Sequence, residues 1–166
     1  MIKTKSHKDG MKVQGFFRVQ LTEDGKGIIG DSGWCQNQVT NDGIRQFIVG
    51  WLVSGTGKQI THMQLGTGGA PTSAATALPS EITGTAGGGR AAVSTSVVAS
   101  GTAQFTAAFA SSNSFVTKTE AISNIGLFNT SAIGVGTLFA GNTFASSNCA
   151  TNQSVNATYQ IRFASV

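Results

Sequence analysis

The sequence predicts a mainly β fold, an antiparallel β-sandwich or jelly-roll-like barrel carrying one short amphipathic helix. Val155, Ala157, Tyr159, Ile161 and Phe163 alternate with Asn156, Thr158, Gln160 and Arg162, the period-two signature of a half-buried strand. Phe105, Ala107 and Phe109 repeat that pattern. Short strand candidates separated by turn residues then fill the second half of the chain without the intervening helices that a βαβ fold requires.

The elements follow in order. Val13, Phe16, Phe17, Val19 and Leu21 form an apolar strand, Glu23-Asp24-Gly25 has turn chemistry, and Gly27-Ile28-Ile29 resumes toward Trp34, which predicts a hairpin. The adjacent Phe16 and Phe17 break strict alternation, so both faces are expected to be covered there. A helix is expected next, capped by Asn41 or Asp42 and stopped by Ser54-Gly55-Thr56-Gly57. Its residues Ile44, Phe47, Ile48, Trp51 and Leu52 fall on one apolar stripe, expected to face the core. Residues 60 to 65 read as a short strand. Residues 66 to 89 hold seven glycines and both prolines, and are expected to form an extended loop. Further strands are expected at 91 to 99, 102 to 109, 120 to 129, 136 to 145 and 154 to 165.

Composition bounds the function. The length of 166 residues suits one domain, expected over 13–166 behind a basic arm over 1–12. Only 11% of residues are charged, well under the usual quarter or so. Lys3, Lys5, Lys8 and Lys12 against Asp9 account for most of the net charge of +4. Such an arm could touch nucleic acid or an acidic protein surface, but it lacks arginine and interleaved aromatics, so a solvated or partner-docked terminus is expected and nucleic acid is not. No signal peptide or membrane span is expected from the sequence. Cys35 and Cys149 share no metal-ligand spacing, so zinc is not expected, and their pairing stays open.

The glycine run Gly66-Thr67-Gly68-Gly69 invites comparison with phosphate loops. A Walker loop needs lysine followed by serine or threonine, and a dinucleotide loop needs a helix opening at once. Here Ala70-Pro71 follows, so a turn at a strand end is the reading. His62 is expected to be a structural histidine, because no Gly-x-Ser-x-Gly elbow accompanies it. Arg90, after three glycines, reads as an interface contact rather than a phosphate clamp. No catalytic residue, cofactor or metal is expected. Carbohydrate stacking would fall to Trp34, since Trp51 is assigned to the helix stripe.

The order of several pieces is similar to a group of small virion structural proteins of tailed bacteriophages. The pieces are Gly30-Asp31-Ser32-Gly33-Trp34, Asn37-Gln38-Val39-Thr40-Asn41, Leu65-Gly66-Thr67-Gly68 with Ala70-Pro71, and Leu78-Pro79-Ser80-Glu81-Ile82 followed by Arg90. Later come Phe105-Thr106-Ala107-Ala108-Phe109, Glu120 to Asn129 with its Ile-Gly-Leu-Phe-Asn end, and Leu138-Phe139-Ala140. The lysine-rich start matches none of them.

The resemblance implies a non-enzymatic structural component of a virion that assembles in several copies and contacts other virion proteins. A capsid-surface accessory, a cement or decoration protein, is the first expectation, because the chain has neither heptads nor a repeated shaft. A tail, collar or fibre-attachment module is the alternative, and a carbohydrate-binding receptor module a further one. Lys3, Lys5, Lys8, Lys12, Trp34, Pro71, Pro79 and Arg90 are the expected partner contacts. Pro71 and Pro79 stiffen a slim loop that is expected to lie along a neighbouring subunit.

Overall fold

The computed structural model describes residues 10–55, 57–83 and 89–165. Two antiparallel sheets face each other, as predicted. The first has the order β2-β1-β11-β8-β7, with β3 also on β1, where β1 is Met11–Glu23, β2 Gly27–Asp31, β3 Cys35–Gln36, β7 Ser94–Ala99, β8 Thr102–Phe109 and β11 Gln153–Ser165. The second has the order β4-β10-β9-β5-β6, with β4 Gln38–Val39, β5 His62–Gly66, β6 Ala91–Ala92, β9 Glu120–Phe128 and β10 Leu138–Cys149. The chain passes from one sheet to the other at Asn37 and again at Val93, so each lateral edge of the sandwich is turned by the chain itself.

The central ladder of the first sheet pairs β1 with β11 from Met11↔Ser165 to Glu23↔Gln153. Alternation decides its faces: Phe17, Val19, Leu21, Val155, Ala157, Tyr159 and Ile161 are buried between the sheets. Phe17 stacks on Tyr159 at 5.7 Å between ring centroids. Tyr159 keeps its hydroxyl satisfied by accepting from Asn37 Nδ2 at 2.6 Å. Phe16 points the other way, half-buried, with the Arg162 guanidinium 4.7 Å over its ring. That contact gives the Phe16-Phe17 pair its two covered faces. Cys35 and Cys149 are free thiols, and burial pushes the Cys149 thiol up to about 11.

The helical segment departs from its predicted register. Thr40, rather than Asn41 or Asp42, caps it: its Oγ accepts from Gly43 N at 2.9 Å and donates to Leu138 O at 2.6 Å. After a turn at Asn41–Gly43 the backbone runs as a π-helix over Ile44–Val49, and it returns to α over Gly50–Ser54. A π-turn takes in one residue more than an α-turn, which rotates everything beyond it off the 3.6-residue stripe. Phe47 alone reaches the deep core, edge-on to Phe139 at 5.1 Å, and Ile48 packs beside it. Trp51 is left 47% exposed and Leu52 79%, against the expected burial. Gly55, at φ 64°, ends the segment where the glycine predicted it would.

Candidate functional site: a clip over the second sheet and the surfaces it leaves free

Strand β9 is buried on both faces, and the reason is the long loop. Ile125 and Leu127 point into the core, while Asn124, Gly126 and Phe128 point outward beneath residues 67–83. The segment Pro79 to Ile82 runs back along the end of β5: Thr67 N donates to Ser80 O and Ile82 N to Leu65 O, each at 3.0 Å. Ser80 makes that return with a left-handed backbone, φ 51°. Leu78 packs with Phe128 and Leu138 in a small cluster of its own.

Glycines let the loop lie this close. A Cβ on Gly66 would come within 2.4 Å of Asn124 Oδ1 and 2.7 Å of Ser80 O, and one on Gly68 within 2.6 Å of Pro79 O. On Gly141 it would meet Ile125 O at 2.7 Å and the Pro71 ring at 3.0 Å. Asn124 holds the loop from below, donating Nδ2 to Gly69 O at 3.0 Å and to Pro79 O at 2.9 Å, while Ser123 Oγ donates to Gly68 O at 2.9 Å. The Gly-Thr-Gly-Gly run thus serves close backbone packing, with its carbonyls turned to Ser123 and Asn124.

The clip is locked by a buried ion pair. Arg90 Nε and Nη2 donate to the two carboxylate oxygens of Glu81 at 3.0 and 2.9 Å, the bidentate geometry that suits guanidinium and carboxylate. The side chains are 1% and 6% exposed. Nη1 donates to Val135 O at 2.8 Å, and the guanidinium lies 3.4 Å from the centroid of the Phe128 ring. His62 sits at the same end, half-buried, its Nδ1 2.8 Å from Thr61 Oγ1. Partial burial, and then the Arg90 charge, lower its pKa, so it is held neutral. A neutral ring tied to its own neighbour is arranged to pack.

The predicted contact residues therefore separate. Arg90 spends its guanidinium inside the chain, which corrects its reading as an interface contact. Pro71 is buried on Gly141, and Pro79 covers Gly68, so the inner side of the loop lies on its own sheet, while residues 72–74, 76 and 77 stay exposed. Trp34 is 49% exposed beyond β2, and Lys12 is exposed but already within β1 opposite Ala164, so the sheet begins inside the expected arm. Lys3, Lys5 and Lys8 lie outside the described residues.

What remains outside is mostly uncharged, with Arg162 exposed on the outer face of the first sheet, its Nη2 donating to Gln160 Oε1 at 3.0 Å. The outer face of the first sheet carries Gln20, Gln104, Thr106, Asn156, Thr158 and Gln160, with Gln160 Nε2 donating to Gln104 Oε1 at 2.9 Å. Arg18 is consumed by Asp31, its Nε donating to Asp31 Oδ1 at 3.0 Å. Hydrogen bonds from Arg18 and Gly33 N hold the Asp31 carboxyl well below the usual carboxylate range. Lys26 pairs with Glu23, Arg45 with Asp42 and Lys118 with Glu120. Bare apolar side chains stand at the helix end, Trp51, Leu52 and Val53, and on β7, Val97 and Val98. Sequence reasoning missed these, although Leu52-Val53 and Val97-Val98 are adjacent apolar pairs that neither a helix stripe nor one strand face can bury together. No protein family, curated protein or solved structure matches the chain.

Proposed function

We propose that this chain is a non-enzymatic structural component of a tailed-phage virion, a capsid-surface accessory that decorates or cements the particle through contacts between subunits. The observation that carries it is the disposition of charge. Described carboxylates such as Asp31, Asp42 and Glu81 pair with cations of the same chain, which leaves a broad Gln/Thr/Asn face and a bare apolar helix end. Neutral amides and hydroxyls cost less to desolvate than ions, and apolar side chains gain by it, so such a surface suits burial against neighbours. The resemblance of the loop-and-clip pieces to virion proteins supplies the setting. The lysine-rich start would rest on an acidic neighbour, an attachment that weakens with salt.

Antibody-labelled electron microscopy of purified virions tests the proposal. Label over the capsid is expected, label confined to the tail or collar selects the attachment-module reading, and unlabelled particles overturn both. Exposure of Trp34 favours one reading of another class, a glycan-binding module. That reading requires glycan retention that is lost in Trp34→Ala, and a blank glycan array removes it.

A further inference from the structure

Beside the π-helical segment the two sheets leave a cavity of about 160 Å³. Phe47 of the helix, Ile60, Phe105 of β8, Phe139 of β10 and Ile161 of β11 form its walls, with Ala103 at its side. It stays open there because the opposing layer stops short: Val97, paired with Ala103, is 82% exposed. Every side chain lining the cavity is apolar except Lys58. Lys58 is half-buried, and its Nζ donates to Thr137 Oγ1 at 2.6 Å, a hydroxyl that in turn donates to Gln46 Oε1 at 3.3 Å. Those bonds hold the ammonium in place. It carries three donors, of which Thr137 takes one. Among the described residues Lys58 forms no ion pair, and Asp42, whose carboxyl feels its charge, is bonded to Arg45. A cation withdrawn from water in this way is usually matched by an anion.

We infer that this cavity is a binding site for a small aromatic carboxylate, with its ring between the sheets against Phe47 and its carboxylate on the Lys58 ammonium. Size and lining select the ring. An apolar cavity of about 150 Å³ holds one benzene. Phe47, Phe105, Phe139 and Phe163 all face this one, and aromatic edges and faces favour a further ring. The same volume is too small for a long acyl chain. Charge complementarity selects the acid over a neutral aromatic, because an ion pair in a partly dry site is stronger than in water. The site lies within one copy of the chain and stands independently of the proposed role on a virion.

Hydrocinnamate is the probe and hydrocinnamide its uncharged counterpart, each titrated at neutral pH into isotopically labelled protein and followed by amide chemical shifts. Saturable shifts are expected at Lys58, Ala103, Phe105 and Ile161. The acid should bind with a Kd on the order of 1 mM, and the amide about fivefold or more weakly than that. Lys58→Met, which removes the charge from the rim, is expected to bind acid and amide alike. Ala103→Leu, which fills the cavity from β8, is expected to bind neither while keeping its circular dichroism spectrum. Should Ala103→Leu fail to fold, Lys58→Met decides alone. No saturable shift up to the solubility of the acid, equal affinity of the wild type for acid and amide, a preference that survives Lys58→Met, or binding that survives in folded Ala103→Leu overturns the inference.

Discussion

Replacing Arg90 with methionine removes the charge that locks the loop while keeping a long apolar stem over Phe128. The side chain is 1% exposed and makes bidentate bonds to Glu81 at 2.9 and 3.0 Å and a further bond to Val135 O at 2.8 Å. Its loss strands a buried carboxylate and a carbonyl without their donor. Breaking one side of a buried pair costs about 3–5 kcal/mol. With a urea m value of about 2 kcal/mol/M, a loss of ~4 kcal/mol lowers the unfolding midpoint by about 2 M. The double variant Arg90→Met/Glu81→Leu removes both charges, and replacement of a whole buried pair by apolar groups is often near neutral. It is expected to recover most of the loss, with a coupling between the two sites of about 2 kcal/mol or more. Equilibrium urea unfolding of the wild type, both single variants and the double variant measures this. A loss below about 1 kcal/mol for Arg90→Met, or a double variant whose losses simply add, would refute the reading of Arg90 and Glu81 as the lock of the clip.

Three further outcomes are expected. Gly66→Ala sets a methyl 2.4 Å from Asn124 Oδ1 and 2.7 Å from Ser80 O. It should cost toward the upper end of the roughly 1–3 kcal/mol of overpacking and speed proteolytic nicking of residues 67–83; an unchanged urea midpoint would contradict the close packing. Trp51→Ala, at a residue 47% exposed, should cost about 1 kcal/mol by thermal unfolding rather than the 3–5 or so of a core aromatic. A large loss there would return the residue to the core. Cys149, fully buried and with its thiol pushed up to about 11, should resist iodoacetamide in the native protein at neutral pH and react only as the chain unfolds. Mass spectrometry locates the label, and rapid native labelling of Cys149 would contradict its burial.

Much of the fold was legible because period-two alternation is a local signal. The strand expected at 102 to 109 is found at those bounds, and the one expected at 154 to 165 begins a single residue earlier. The helix stripe was misread because periodicity assumes 3.6 residues per turn, and nothing in Ile44 to Val49 announces a π-turn. The cap moved to Thr40 because its hydroxyl also reaches Leu138 O, a contact with a strand nearly a hundred residues away that no local rule contains. The loop was expected on a neighbour because its small residues looked slim enough to slide between subunits. In the fold that slimness serves the loop's own sheet, where Gly66, Gly126 and Gly141 open the space. One signal was available and unused. Between Lys58 and Lys118 the charged residues are Glu81 and Arg90, of opposite sign in an otherwise neutral stretch, and such a pair has strong cause to meet. The bare Val97 and Leu52 were hidden for a different reason: an apolar residue in an element is read as core until the opposing layer is known to stop short of it.

The central proposal is that this sandwich is a particle subunit whose Gln/Thr face and helix end meet its neighbours. Reconstruction of the intact virion from electron micrographs tests it most directly. The account predicts density for this fold on the capsid surface, with residues 67–83 folded back on their own sheet and the Gln/Thr face or helix end covered by an adjoining subunit. Particles without that density, or copies seated through the clip with that face and the helix end open to solvent, would contradict it.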